Sequence, residues 1–350
     1  MLRVLVIENV PPSNQESWWK KYVRQCNDVI IDTLNVWPPN EGILDFMYDK
    51  KNELLKLIRI AVLLYRQMKK NKYNIIITIQ GGRETFLLSL YQTILRKKRP
   101  AHVVIDFIMR EKQKTLKSKI KYSFMKFCLS SVTLVICSCS SEVDYYETVF
   151  NWRKGKAVFI PLYIRPMFLN VDIAEGEYIF SAGRTFRDYG TLLKAVAGLP
   201  EKVVIVAGRK NFENVTASIP ENVKIIRDIP LVEYAKLLAK AKFVVLPLQE
   251  RKISVGQQVL LESMALGKAV IATSVGGIVD YVVDGTAGLL VKPHDYMDLR
   301  RKISLLIEKP DLRASMGQAA KEKIKKNHQV QHYINTLCSV LKSHGFFNNA

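Results

Sequence analysis

The sequence predicts an α/β protein of two doubly wound domains, and two observations carry that expectation. Short β-branched runs alternate with amphipathic stretches along the whole chain, the pattern of parallel strands covered by helices, and the alternation starts afresh near the middle. The length of 350 residues is also about twice that of an ordinary domain.

The first series places strands near residues 3–7, 74–79, 102–107 and 134–138, with helices between them. The pattern pauses after Val158 to Pro161 and resumes with strands at 178–182, 202–207, 223–225, 243–246, 269–273 and 288–291. Prolines, Asp172 and Glu175 interrupt the apolar periodicity between Pro161 and Gly176. The expected domains are therefore 1–165 and 166–327, facing a cleft. Residues 328–350 form a closing helix, with Val330, Tyr333, Ile334, Leu337 and Leu341 at helical spacing. That helix is expected to pack back on the first domain.

Composition narrows the class. Hydrophobic residues make up 48% and charged residues 24%, both inside the globular range. The opening run reaches Glu8 too soon for a signal peptide and reads as a first strand. Nothing later approaches the apolar length of a membrane-spanning helix. Cys26, Cys128, Cys137, Cys139 and Cys338 are odd in number and lack zinc-site spacing, so neither a disulfide framework nor a metal is expected and a reducing cytoplasm is. Cys137 and Cys139 read as small buried side chains. The net charge of +21 marks a surface that attracts polyanions without choosing among nucleic acid, anionic lipid and phosphorylated substrate.

The most informative stretch runs from Ile253 to Pro293. Gly256 precedes a helix-forming run, Gln257 to Leu266, closed by Gly267 where a left-handed C-cap costs least. A strand follows. Gly276-Gly277 then turn into a short helix expected over 278–283, and Asp284-Gly285 turn again. Two glycine-flanked helix starts thus meet one edge of a parallel sheet, where backbone N–H groups and the helix dipole favour a phosphate. Glu262 lies roughly 9 Å into the first helix at 1.5 Å per residue. From there it can accept hydrogen bonds from a ribose whose phosphates sit at the helix mouth.

The segment from Glu262 to Thr273, followed by Gly276-Gly277, Asp284-Gly285 and Gly288 to Val291, resembles the donor-binding signature of retaining GT-B glycosyltransferases of glycosyltransferase family 4. The resemblance covers about Tyr178 to Ala319, while the first domain shares only the α/β rhythm. It implies a GT-B fold of two Rossmann-like domains and a nucleotide-sugar donor, UDP- or GDP-linked. Glu262 would bind the ribose hydroxyls, and the backbone of Val255, Gly256 and Gln257, with Ser254, would lie against phosphates and sugar. The family's basic pair after the first strand of its second domain falls on Arg184 and Arg187, beside Gly183. Both would neutralise the diphosphate through charge-assisted bonds. Gly208, Arg227 and Ile229 stand where the family's strand ends flank the base. Catalysis would rest on Arg184, Arg187 and Glu262, with the leaving diphosphate assisting the incoming hydroxyl on the same face and no metal or other cofactor.

Three departures matter. Ser254 replaces the family's glutamate eight positions before the helix glutamate, with Glu250 a displaced candidate. Glu8 to Ser13 stand in place of the glycine-rich loop after the first strand. The first-domain histidine has no counterpart, and Asp106 is the nearest polar substitute on the acceptor side. His328 and His332, four apart, lack a third metal ligand and read as solvated.

From Arg110 to Cys128, lysines at 112, 114, 117, 119, 121 and 126 accompany an apolar stripe of Leu116, Ile120, Phe124 and Phe127. Two readings fit. The helix lies on an anionic membrane surface, or its stripe packs on its own sheet. Arg96 to Arg99 and the lysines at 69, 70 and 72 add charge to the same domain, which suits a lipid-linked acceptor at the cytoplasmic face.

The expected protein is a cytoplasmic, membrane-peripheral glycosyltransferase of glycan or glycolipid assembly. One rival is a degenerate GT-B protein that binds nucleotide without transfer, motivated by Ser254. The other is a nucleic-acid-binding protein; the basic clusters lack a recognition helix or aromatic strand motif, so no nucleic acid partner is expected.

Overall fold

The computed structural model describes residues 2–8, 29–36, 53–95, 100–172, 176–212, 215 and 218–346. Cys26, residues 9–13 and the basic cluster 96–99 lie outside them. The chain divides into two compact units. One comprises Met1–Ser138, Val143–Ile160 and Ile334–Ala350, the other Cys139–Glu142 and Pro161–Tyr333.

In the first unit, strands β1 (Leu2–Glu8), β2 (Val29–Asn35), β3 (Ile75–Ile79), β4 (Ala101–Ile105), β5 (Leu134–Cys137) and β6 (Ala157–Phe159) form one parallel sheet in the order β2-β1-β3-β4-β5-β6. Its inner strands are nearly unbroken apolar runs because both faces are covered. Leu5, Ile7 and Ile76 pack there with Ile60 and Leu64 of helix α1 (Glu53–Lys70) and Leu88 of α2 (Arg83–Leu95). The sequence pattern missed β2, an edge strand only partly buried, whose apolar run is interrupted by Asp32 accepting from Arg3 Nε at 3.0 Å. It also ran β4 too long, because Asp106 takes a left-handed φ of 50° that ends the strand before Phe107.

Helix α3 (Leu116–Cys128) is capped by Thr115, whose side chain accepts from the Ser118 N–H, and its buried side carries Tyr122 and Cys128. The expected apolar stripe is on the other side, with Leu116 72%, Ile120 63%, Phe124 56% and Phe127 52% exposed. Packing of that stripe on its own sheet is thereby overturned. Helix α4 (Ser140–Phe150) completes this series, although its first turn clusters with the second unit.

The second unit holds β7 (Tyr178–Gly183), β8 (Val203–Ala207), β9 (Val223–Arg227), β10 (Ala241–Leu246), β11 (Val270–Thr273) and β12 (Leu289–Val291), all parallel, in the order β12-β11-β10-β7-β8-β9. Helices α5 (Tyr189–Val196), α6 (Leu231–Ala239), α7 (Gln257–Ala265), α8 (Tyr296–Glu308) and α9 (Pro310–Asn327) accompany it, and α10 (Val330–Ser343) closes the chain. Because β7 and β10 are neighbours while the chain winds away from each in opposite directions, the loops after them flank the topological switch point, where open α/β sheets bind ligands.

Gly267 ends α7 at φ 65°, as its sequence position implied. The helix expected over 278–283 is instead a single 3-10 turn, Gly276–Ile278. Val279, Val282 and Val283 are β-branched and propagate a helix poorly, and the Asp284-Gly285 turn follows at once. No helix among the described residues is long and apolar enough to cross a membrane.

Candidate functional site

The register Gly183↔Ala207↔Arg227 sets the ends of β7, β8 and β9 level, so Gly183, Gly208 and Arg227 share the carboxyl edge of the second sheet. Gly183 has φ 135°, and a β-carbon there would overlap the Arg187 guanidinium. Arg187 is buried, with Nε donating to the Ala182 carbonyl (2.9 Å) and Nη1 to that of Thr185 (2.8 Å). Burial lowers its pKa, and among the described residues no carboxylate pairs with it. A buried cation without a counter-charge is costly unless an anion arrives. Arg184 is 44% exposed and sits 3.7 Å from Asp228. The Gly208 N–H donates to Asn211 Oδ1 (2.8 Å), and Asn211 Nδ2 donates to the Arg184 carbonyl (3.1 Å), tying the ends of β7 and β8 together. Arg227 is exposed and Ile229 half-buried on the turn after β9.

The loops flanking the switch point are joined by backbone bonds, from Asp188 N–H to the Pro247 carbonyl and from Gln249 N–H to that of Phe186, each 3.0 Å. Glu250 is exposed at the outer part of the second loop, whereas Ile253, Ser254 and Val255 are buried. Gly256 precedes α7 at φ 83°, and no side chain caps the helix. A β-carbon at Gly256 would press on Leu246 and Leu248 at 3.0–3.1 Å. The first-turn N–H groups of α7 are thus left to the dipole end of the helix without a protein acceptor from the capping side chain. Beside them, Gln257 is 3% exposed and its Nε2 is a buried donor without a partner. Such a group costs about 1–3 kcal/mol until something accepts from it.

Farther along α7, Glu262 is buried. It accepts from Arg165 through Nε (2.8 Å) and Nη2, from the Tyr234 hydroxyl (2.8 Å) and from Gln258 Nε2 (2.9 Å). Burial pushes its carboxyl up, while Arg165, Tyr234 and Gln258 pull it back. Tyr234 is raised well above 10.0, by burial first and then by the adjacent Glu262 charge, so its phenol stays protonated and donates.

Residues 171–323 match the family described as Glycosyl transferases group 1. They belong to it. An uncharacterized glycosyltransferase of Methanocaldococcus jannaschii is 29% identical over 160 residues, which are 43% of this chain and 45% of that protein. The chain therefore spans less than half the length of this relative in the match. Sucrose-phosphate synthase from Thermosynechococcus elongatus superposes with a TM-score of 0.69 over 98% of this chain and 99% of that one, at 17% identity. Anabaena HepE in complex with UDP-glucose does so with 0.62 over 98% and 100%, at 14% identity. These likenesses establish the fold as GT-B, with two Rossmann-like domains.

Within the group 1 domain the sequence-derived residues divide. Gly183, Arg184, Arg187, Gly208, Arg227 and Ile229 gather at the strand ends, and Ser254 to Gln257 line the start of α7. The Arg187 guanidinium is drawn under the β7 turn by two backbone carbonyls, whereas Arg184 stays partly exposed. Asp106 is a half-buried turn residue of the first unit. Three partners escaped the sequence reading. Arg165 stands before Pro166 in the linker, Tyr234 looks like a core position of α6, and Glu142, which accepts from the Ser254 N–H and hydroxyl, lies far off in the sequence. None carries a local signal. His328 is a correction: it is buried in the break between α9 and α10, with Nδ1 2.9 Å from the Leu162 carbonyl and its ring stacked on Tyr281, so it is neither solvated nor on one helix with His332. Among the described residues no group of three or more His, Cys, Asp or Glu side chains could hold a metal.

Proposed function

We propose that this protein transfers a sugar from a nucleotide-sugar donor to a glycan or lipid-linked acceptor. The observation that carries the reading is the convergence, at the switch point of a group 1 domain, of a buried arginine lacking a counter-charge, an uncapped helix start and an unpaired buried amide. All three ask for the same ligand, an oxygen-rich anion, which a nucleoside diphosphate supplies. The HepE complex with UDP-glucose supports a uridine donor. In this reading Arg184 and Arg187 stabilise charge on the leaving diphosphate. Glu262 receives a ribose hydroxyl on Oε2, which carries only the Tyr234 donor while Arg165 and Gln258 occupy Oε1, and Arg227 and Ile229 flank the base. The bond from the anomeric carbon to the diphosphate oxygen breaks with its electron pair leaving on the diphosphate. The acceptor oxygen bonds to that carbon on the same face, and its proton passes to a diphosphate oxygen, which gives retention without metal or other cofactor.

The exposed stripe of α3, with lysines at 117, 119, 121 and 126 around it, supports peripheral attachment to an anionic membrane at the cytoplasmic face. Calorimetry against UDP, GDP, ADP and their sugar conjugates tests the donor site. Selective binding by one base, followed by turnover of its sugar conjugate, is the expected result. No binding to any would remove the reading. Ser254 favours a second reading, nucleotide binding without transfer, and tight donor binding with no transfer or hydrolysis across an acceptor panel would establish it.

A further inference from the structure

The second unit contains a short turn from elsewhere in the sequence, Cys139–Glu142. Several of its polar groups reach the two loops that flank the start of α7. The Ser140 N–H and hydroxyl donate to Asp280 at 2.9 and 2.8 Å, just past the Gly276–Ile278 turn. The Ser141 hydroxyl donates to the Lys252 carbonyl at 3.1 Å. The Ser254 N–H donates to one Glu142 oxygen at 2.8 Å and its hydroxyl to the other at 2.7 Å. Cys139 lies against Gly277 so closely that a β-carbon there would overlap it. Glu142 is fully buried. Its charge contributes, after burial itself, to pushing the Cys139 thiol up to about 12, so that thiol is packing rather than chemistry.

A buried carboxylate gripping one residue through both backbone and side chain fixes that residue's φ/ψ as well as its rotamer. Ser254 is two residues before Gly256, and its conformation sets how the left-handed Gly256 presents the N–H groups of α7. Ser254 is also the position where the expected motif carboxylate is missing. We infer that Glu142 is a positioning residue for the donor loop, delivering from a distant stretch of chain the carboxylate that position 254 lacks. This rests on the donor-site reading above. Glu142 touches neither the diphosphate nor the sugar in this arrangement; it acts through Ser254.

The test uses the full chain and three variants, Glu142→Ala, Ser254→Ala and the exchanged double variant Glu142→Ser with Ser254→Glu. Each is checked for folding by circular dichroism and assayed by calorimetry with UDP and by the donor KM and kcat of sugar release. Glu142→Ala is expected to weaken UDP binding about 10- to 100-fold, the equivalent of losing a hydrogen-bonded charged partner, and Ser254→Ala about 3- to 10-fold. Both raise the donor KM. The exchanged variant restores the carboxylate from the other side and returns to within about 3-fold of the original chain, a recovery that lost packing alone does not produce. Wild-type affinity in folded Glu142→Ala or Ser254→Ala overturns the inference, as does a folded exchange variant no better than Glu142→Ala. If Glu142→Ala or the exchange variant does not fold, Ser254→Ala decides alone. Failure of the unmodified chain to bind any nucleotide removes the donor reading and this inference with it, whereas binding that all variants share removes only the inference.

Discussion

Replacing Glu262 with alanine perturbs a buried, multiply hydrogen-bonded side chain of the proposed donor site. The carboxylate is 1% exposed and accepts from Arg165, Tyr234 and Gln258. Its loss strands three donors unequally. Tyr234 is buried, so its hydroxyl becomes an unsatisfied donor costing about 1–3 kcal/mol. The Arg165 side chain is 37% exposed and turns to water, so its share falls to under about 1 kcal/mol. Gln258, half-buried, behaves likewise. The vacated volume adds about 1 kcal/mol. Relief of the carboxylate's own desolvation, the first cause of its raised pKa, offsets part of this. A net loss of about 1–3 kcal/mol lowers the midpoint of the second unit by roughly 2–12 °C, at 2–4 °C per kcal/mol for a unit of this size. Glu262→Gln keeps an acceptor for Tyr234 and recovers about half. Differential scanning calorimetry with and without UDP separates the two consequences, because the fold cost appears in the apo midpoint and the ligand cost in the UDP-induced rise. An apo midpoint within about 2 °C of the unmodified chain would refute the buried network. An unchanged UDP-induced rise would refute the ribose contact.

Arg187→Ala removes a buried cation and two bonds to backbone carbonyls; about 1–3 kcal/mol of stability and at least about tenfold in UDP affinity should go, and equilibrium titration that finds affinity intact makes this arginine a turn support only. Phe124→Glu places a charge at a 56% exposed position of α3, so the midpoint should hold within about 0.5 kcal/mol while sedimentation with phosphatidylserine vesicles at low salt falls; undiminished sedimentation removes the membrane face. His102 gives the first unit a pH signature. Burial, then Lys156, lowers its pKa from 6.5 to about 3, while Thr78 Oγ1 is 2.9 Å from Nε2. Between those two values the unfolded chain binds a proton that the folded chain does not. Stability from this group is therefore complete above 6.5 and falls as pH drops toward 3, by up to about 1.4 kcal/mol per pH unit. Urea titrations across that window should show a slope that His102→Gln flattens; equal slopes would place His102 in water.

What the sequence by itself determined was whatever local chemistry encodes. Nearly continuous apolar runs at β1, β3, β8 and β10 could only be strands covered on both faces. Gly256 and Gly267 bracket α7 because both positions need positive φ, and the spacing of Glu262 from Gly256 followed from the rise of a helix. The motif from Glu262 to Thr273 is local in sequence and lies inside the segment that matches the glycosyl transferases group 1 family. Elements that depend on neighbours were illegible. β2 is an edge strand held by pairing with β1, and the 3-10 turn at Gly276–Ile278 could be read as a longer helix until its valines had to pack.

Only the tertiary structure decided which charges are available. Arg184 and Arg187 look alike in sequence, yet one is half exposed beside Asp228 and the other is buried under Gly183. The stripe of α3 reads as core or as membrane face from spacing alone, and exposure removed the core reading because the helix buries Tyr122 and Cys128 instead. Arg165, Tyr234 and Glu142 meet Glu262 and Ser254 across sequence separations of 97, 28 and 112 residues. No periodicity or cap signal spans such distances, because a buried hydrogen bond is specified by where two elements pack and not by the residues on either side of it in the chain.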